Sequence, residues 1–378
     1  MGFPHIRLMF LLLALGCMKP AFAQDAGALN GYGIEANFIA GKVFKHSPKF
    51  TLPIPGQSTA CDINFIYQTH GKREWEQRRR FPVIGIGISY TNYGIDSIYG
   101  HSIGIYPNIQ IPIISGKRLE WTFRAGMGMG YVSKHYTRAP SWDTVNIAIG
   151  SAINNYTLFM TDIRYRLNKN WDLQIGANFS HISNAAFKEP NLGVNMYGTH
   201  IGIRYFPLSS QPTYIKREIP KLKNRFLFQA RLGIGFNDIQ NAGGPLFPTY
   251  IASAYVSRRW LSKNKMFAGI DYAYHTGTVA FLRNNEINVG DEAAHAWQSA
   301  VFIGNEFLMG RRLGFMLQLA YYTKISALTP TTYYEKLGFN YYLLQKEKGP
   351  LKELYLSALL KANQTVAELV EWGIGLSF

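Results

Sequence analysis

The stretch Trp121-Thr122-Phe123-Arg124-Ala125-Gly126-Met127-Gly128-Met129-Gly130-Tyr131 decides the class of fold. Its odd positions are apolar; its even positions are Thr, Arg or Gly. Side chains alternate across a strand, so this segment has one apolar face and one small or polar face. The glycines are not spaced as G-x-G-x-x-G and no helical pattern follows, which excludes a phosphate-cradling loop.

The same period-2 pattern recurs along the chain. In the first half it marks strands near 32–44, 59–69, 81–92, 101–113, 117–132, 148–166, 170–183 and 194–206. In the second half it marks 226–238, 247–261, 265–276, 297–307, 313–325, 334–345, 352–362 and 368–378. That gives sixteen, an even number. Tight polar turns stand at Ser115 to Arg118, Leu167 to Asn170, Ser262 to Lys265 and Met309 to Arg312. Longer connections, at 133–147, 277–296 and 325–333, fall on the alternate side. Short turns at one rim and long loops at the other are the habit of outer-membrane barrels, with the short turns in the periplasm. The expected fold is therefore all-β, an antiparallel transmembrane β-barrel.

Composition agrees. Aromatic residues make up 15% of the chain, with 24 Tyr and 24 Phe, and mean hydropathy is −0.08. A barrel with a lipid-facing apolar wall, a polar lumen and aromatic girdles averages to such a value. The chain opens MGFPHIRLMFLLLALGCMKPAFAQ, in which Arg7 precedes a short apolar run, Leu8 to Leu15. Ala21-Phe22-Ala23 supplies an A-x-A cleavage pattern, so residues 1–23 read as an export signal. Cys17 hints at a lipoprotein site, but Ala14 stands where Leu is expected. Only Cys61 would remain after cleavage, which excludes an internal disulfide framework. The implied location is the outer membrane of a Gram-negative bacterium.

Net charge is +16. Export argues against nucleic acid as the partner, and an anionic surface such as phosphorylated lipopolysaccharide fits better. Solvated basic turns, such as Lys72-Arg73 and Arg78-Arg79-Arg80, are the plainer explanation of any one cluster.

The final residues, Glu371 to Phe378, alternate and end on an aromatic, as in the strand signal read by barrel assembly machinery. A similar string, Thr199 to Phe206, closes the first half, and residues 207–225 form a connector with little strand pattern. The boundaries read as signal 1–23, first barrel half 24–206, connector 207–225 and second half 226–378. The halves look like a tandem duplication, since Gly116-Lys117-Arg118-Leu119 is echoed by Gly310-Arg311-Arg312-Leu313. One closed barrel of about sixteen strands in two eight-strand halves is the expectation, because a closed sheet leaves no edge in lipid. Two eight-stranded barrels satisfy the same rule and are the alternative.

One constellation carries chemistry. Along Trp171 to Asn184 the odd set is Trp, Leu, Ile, Ala, Phe, His181 and Ser183, which places His181 and Ser183 on the lipid face at the long-loop end. Polar groups facing hydrocarbon are costly unless used or paired. Same-face neighbours along a strand are about 6–7 Å apart at the backbone, a gap an imidazole can bridge to reach a serine hydroxyl. The pair alone reads better as a polar interface belt where the strand leaves the bilayer. Other histidines, among them His101, His200, His275 and His295, lack metal-like spacing, and His200 has lumen parity.

The longer string His181-Ile182-Ser183-Asn184-Ala185, followed by Pro190-Asn191-Leu192-Gly193, resembles the active-site segment of the PagL-type lipid A 3-O-deacylases. The resemblance covers roughly residues 30–206 and is most specific at 181–195. It implies an eight-stranded outer-membrane barrel with a Ser-His-acid site on its lipid-facing wall, removing an ester-linked acyl chain from lipid A without metal or cofactor. Carried over by position, Ser183 is the nucleophile, His181 the general base, and Asn184 and Asn191 the flanking positioning residues. Asn191, with backbone N–H groups of the following loop, is the candidate oxyanion donor.

Where the family has an acid, this chain has Asn195. An amide oxygen can fix the imidazole tautomer but brings no charge, and in an Asp-based serine hydrolase that exchange costs about 10⁴ in turnover. Glu189, in the intervening loop, is the alternative orienter. Lys134 and Lys188 at the rim are candidate partners for lipid A phosphates. The second half has Asn363 and Gln364 where the first has its His–Ser pair. The expected function is thus a lipid A esterase among outer-membrane lipids; the alternative is a non-enzymatic barrel, either a channel or a lipopolysaccharide-binding pseudoenzyme.

Overall fold

A computed structural model describes residues 30–47, 49–138, 143–207, 213–218, 226–238, 244–261, 263–310, 312–329, 331–364 and 366–378. The expected signal 1–23, most of the connector, and turn residues Ser262 and Arg311 lie outside them.

The first half contributes β1 (Tyr32–Phe44), β2 (Ser58–Gln68), β3 (Val83–Asn92), β4 (His101–Ser115), β5 (Leu119–Val132), β6 (Ile153–Arg166), β7 (Trp171–Ser183) and β8 (Val194–Tyr205). The second contributes β9 (Phe226–Asn237), β10 (Phe247–Leu261), β11 (Asn264–His275), β12 (Trp297–Leu308), β13 (Leu313–Lys324), β14 (Tyr333–Gln345), β15 (Glu353–Asn363) and β16 (Val366–Ser377). All neighbouring pairs are antiparallel. Among the described residues two short α-helices, α1 (Glu74–Arg78) and α2 (Thr276–Asn284), lie in connections.

The sixteen strands stand in two eight-strand halves, and each half closes on itself. β8 pairs with β1, with Ile201 opposite Phe38, and β16 pairs with β9, with Trp372 opposite Ile234. The single fused sheet gives way to two closed eight-stranded barrels. The edge argument could not discriminate them: each half already satisfies every backbone group without borrowing a strand from the other.

The alternation behaves as the sequence demands. Ile175 on β7 and Ile201 on β8 are 60% and 62% exposed, a wall without cover in water and therefore suited to lipid. Inward positions are packed. Glycine on the inner face makes room for aromatic rings: a Cβ on Gly104 would sit 2.6 Å from the Tyr156 ring, and one on Gly126 would sit 2.4 Å from Tyr106. Toward the long-loop rim the first lumen is filled by Phe50, Tyr99, Tyr106, Tyr156 and Ile182.

Toward the short-turn rim charge takes over. Arg124 bridges Glu35 and Asp62, and Arg164 reaches Glu35 at 3.2 Å and Glu120 at 3.0 Å. The second lumen repeats the device with other residues. Arg231 meets Glu371 at 3.1 Å, Lys336 lies 2.8 Å from Asp271, and Lys265 lies 3.0 Å from both Glu306 and Glu353. Buried charges persist only when paired in this way.

Two connections depart from the expected asymmetry. The 69–82 connection, on the short-turn side, is long enough to hold α1, and β15 and β16 on the opposite rim are separated only by Gln364 and Thr365. The first of these has a use: Arg79 donates to the Lys263 carbonyl at 3.1 Å and to the Leu308 carbonyl at 2.9 Å, joining the barrels at that rim.

Candidate active site

On β7 the outward residues Trp171, Leu173, Ile175 and Ala177 are exposed, and the inward Asp172, Gln174, Asn178 and Ser180 are buried. His181 and Ser183 continue the outward set, as their parity requires. Register then selects their neighbours. His181 stands opposite Asn195 on β8 and opposite Thr157 on β6, with Ser183 opposite Asn155.

The side chains form a relay. The imidazole Nδ1 lies 2.5 Å from Asn195 Oδ1, and Nε2 lies 2.8 Å from Ser183 Oγ. An amide oxygen can only accept, so Nδ1 carries the proton and Nε2 presents its lone pair to the serine hydroxyl. Glu189 is elsewhere: its Oε2 accepts the Asn191 backbone N–H at 2.9 Å. Of the two orienters the sequence offered, Asn195 is the one at the ring.

Although it belongs to the outer wall, Ser183 is only 5% exposed. Two loops fold over it. The β7–β8 loop, 184–193, and the end of the β5–β6 loop are joined by an Ile149–Asn191 bridge and by Gly193 N–H donating to the Ala148 carbonyl at 2.8 Å. Residues 148–152 therefore cover the site instead of extending β6, which begins at Ile153 and not at 148. Gly193 has φ +75°, and a Cβ there would lie 2.8 Å from His181 Cε1 and 3.2 Å from Ser183 Cβ. Only glycine lets the backbone pass this close to the pair.

The two flanking asparagines play different parts. Asn184 ties its own loop, donating through Nδ2 to Ser151 Oγ at 3.0 Å and to the Lys188 carbonyl at 2.7 Å. Asn191 accepts the Asn184 backbone N–H on Oδ1 at 2.9 Å, leaving its Nδ2 buried and without a partner among the described residues. An unpaired buried donor costs about 1–3 kcal/mol, so its survival on a side chain that holds the N–H of Asn184, the residue after Ser183, calls for a use.

Lys134 and Lys188 are both exposed at the rim. Lys134 lies 3.9 Å from Asp143, and Lys188, after burial, helps hold the His135 imidazole below its usual pKa. His200 is an interior residue, 2.7 Å from Asp162. Sequence reasoning did not single out His46, whose Nε2 lies 2.8 Å from the Leu192 carbonyl, nor the role of Gly193. Neither has a spacing signal, because both reach the site through loop folding. Among the described residues no group of three or more His, Cys, Asp or Glu is arranged to hold a metal.

With this geometry in place, comparison with known proteins becomes informative. Residues 61–204 match the family described as lipid A 3-O-deacylase (PagL). Residues 226–378 match a second, described as acyloxyacyl hydrolase, C-terminal domain. No curated protein matches. Among solved structures, Neisserial surface protein A aligns at 13% identity over 47% of this chain and 97% of its own, with a TM-score of 0.33. The outer membrane enzyme PagL aligns at 17% identity over 44% of this chain and 97% of its own, with a TM-score of 0.30.

Proposed function

We propose that this chain, which belongs to the PagL-type lipid A 3-O-deacylase and acyloxyacyl hydrolase family of Gram-negative outer-membrane β-barrels, is a serine esterase that removes ester-linked acyl chains from lipid A. The observation that carries this reading is the Asn195–His181–Ser183 relay, with one contact on each ring nitrogen.

The chemistry follows from those contacts. Ser183 Oγ attacks the ester carbonyl while His181 Nε2 takes its proton. The carbonyl oxygen becomes an oxyanion, for which the unpaired Asn191 Nδ2–H is the available donor. The ester C–O bond breaks, His181 returns the proton to the departing sugar oxygen, and the acyl chain stays on Ser183. Water activated by the same imidazole then releases the fatty acid. Because the pair lies on the outer wall, the acyl chain need not leave hydrocarbon. Lys134 and Lys188, exposed at the rim, are of the right charge for lipid A phosphates.

Asn195 favours slow turnover. It fixes the tautomer as a carboxylate would but adds no charge to the imidazolium formed at each transition state. The test is fatty-acid release from lipid A by the purified full-length barrel, beside Ser183→Ala. Release by wild type alone is expected; tight binding of lipid A without release would instead favour a lipopolysaccharide-binding pseudoenzyme.

A further inference from the structure

The relay lies wholly in the first barrel, yet a second barrel follows it. A hydrogen bond joins that barrel to the loop over the site. Asp238, the first residue beyond β9, accepts the Glu189 backbone N–H on Oδ2 at 3.0 Å. It is only 3% exposed. From Glu189 a chain of bonds leads to the candidate oxyanion donor. Glu189 Oε2 accepts Asn191 N–H at 2.9 Å, and Asn191 Oδ1 accepts Asn184 N–H at 2.9 Å. These fix the backbone N–H and the side-chain oxygen of Asn191 and leave Nδ2 as its side-chain donor without a partner among the described residues.

We propose that Asp238 is a positioning residue supplied by the second barrel, which anchors the 184–193 loop so that the Asn191 amide is held where the oxyanion forms. This rests on the esterase reading above. Asp238 touches neither His181 nor Ser183 in the bonds described, so its effect would pass through Glu189 and Asn191. It is also not what holds the barrels together at the far rim, where Arg79 binds the Lys263 and Leu308 carbonyls. Removing the Asp238 carboxylate should therefore free the loop without separating the barrels.

The sign of the titration agrees with a tight seam. Burial raises the Asp238 carboxyl; burial and then Asp238 itself raise that of Glu189, with Asn191 N–H and Lys49 pulling the other way. Two carboxyl groups are held close by the loop's backbone geometry.

The experiment compares full-length wild type, Asp238→Ala and Asp238→Asn in detergent, each shown to be folded by its heat-modifiable gel mobility. Turnover of lipid A and hydrogen exchange of the 184–193 amides are both measured. Asp238→Ala should lower kcat about tenfold, the loss of one buried hydrogen bond from the Glu189 N–H, with KM nearly unchanged. Asp238→Asn retains an acceptor oxygen and should restore most of the rate. Exchange at the Glu189 and Asn191 amides should quicken about tenfold in Asp238→Ala and stay slow in Asp238→Asn. Wild-type rate and unchanged protection in Asp238→Ala would overturn the proposal, as would an Asp238→Asn variant as impaired as Asp238→Ala. If wild type itself releases no fatty acid, the esterase reading fails, and the exchange data alone decide whether Asp238 anchors the loop.

Discussion

At the scale of single residues, the site is a strand parity made into chemistry. His181 and Ser183 share a face because they are two apart, and their facing direction was legible in the alternation from Trp171 onward. The identity of the orienter was half legible: the resemblance pointed to Asn195, and the register of β7 against β8 puts it opposite His181. Replacing Asn195 with Asp should raise kcat by about tenfold or more by supplying the missing charge, and replacing it with Ala should lower kcat. Steady-state turnover of lipid A checks both; an Asp variant slower than wild type would count against Asn195 as the orienter. Asn191→Asp keeps an acceptor for Asn184 N–H but removes the unpaired donor, so kcat should fall about 10²–10³-fold. Gly193→Ala forces a side chain into a left-handed backbone and against His181. A loss of about 10²-fold in kcat with an intact barrel is expected from the displaced pair, read from the same assay and from gel mobility.

At the scale of elements, strands were easy and coverings were not. Period-2 alternation located all sixteen strands, most within a residue or two, because one face of each meets lipid and the other a packed lumen. It overran at 148–152, where Ala148 and Ile149 look like strand but bond to Gly193 and Asn191 across the site. Alternation reports a local preference, whereas a loop's partner is decided by closure. Asp238 and His46 were invisible for the same reason. The loop contact has a pH consequence. The docked seam holds protons on Glu189 and Asp238 more tightly than a free loop would, since both carboxyls are raised. Docking is therefore strongest below the ordinary carboxylate range and weakens as pH climbs from there through the raised values. Cleavage by trypsin after Lys188, followed over that interval, should quicken with rising pH beyond the protease's own profile. In Asp238→Asn this increment should shrink, and a flat response in wild type would contradict the assignment.

At the scale of the whole molecule, two closed barrels stand where one larger ring was equally compatible with the hydrophobic pattern. Their size decides their contents. Eight strands leave an interior that side chains can fill, and both lumens are crossed by paired charges, Arg124 with Glu35 and Asp62 in one and Lys336 with Asp271 and Glu371 in the other. Purified protein in planar bilayers should therefore show no stable ion conductance, and reproducible unitary steps would refute the plugged lumens. What the molecule offers the membrane is its outer wall, and the central claim is that an activated serine lies there. Reacting the intact barrel with a long-chain alkyl fluorophosphonate and mapping the adduct by mass spectrometry tests that claim most directly. The account predicts one adduct on Ser183, none in Ser183→Ala, slower formation in His181→Ala, and slower labelling by a short water-soluble analogue. A folded barrel whose Ser183 stays unmodified, or is labelled as fast without His181, would contradict it.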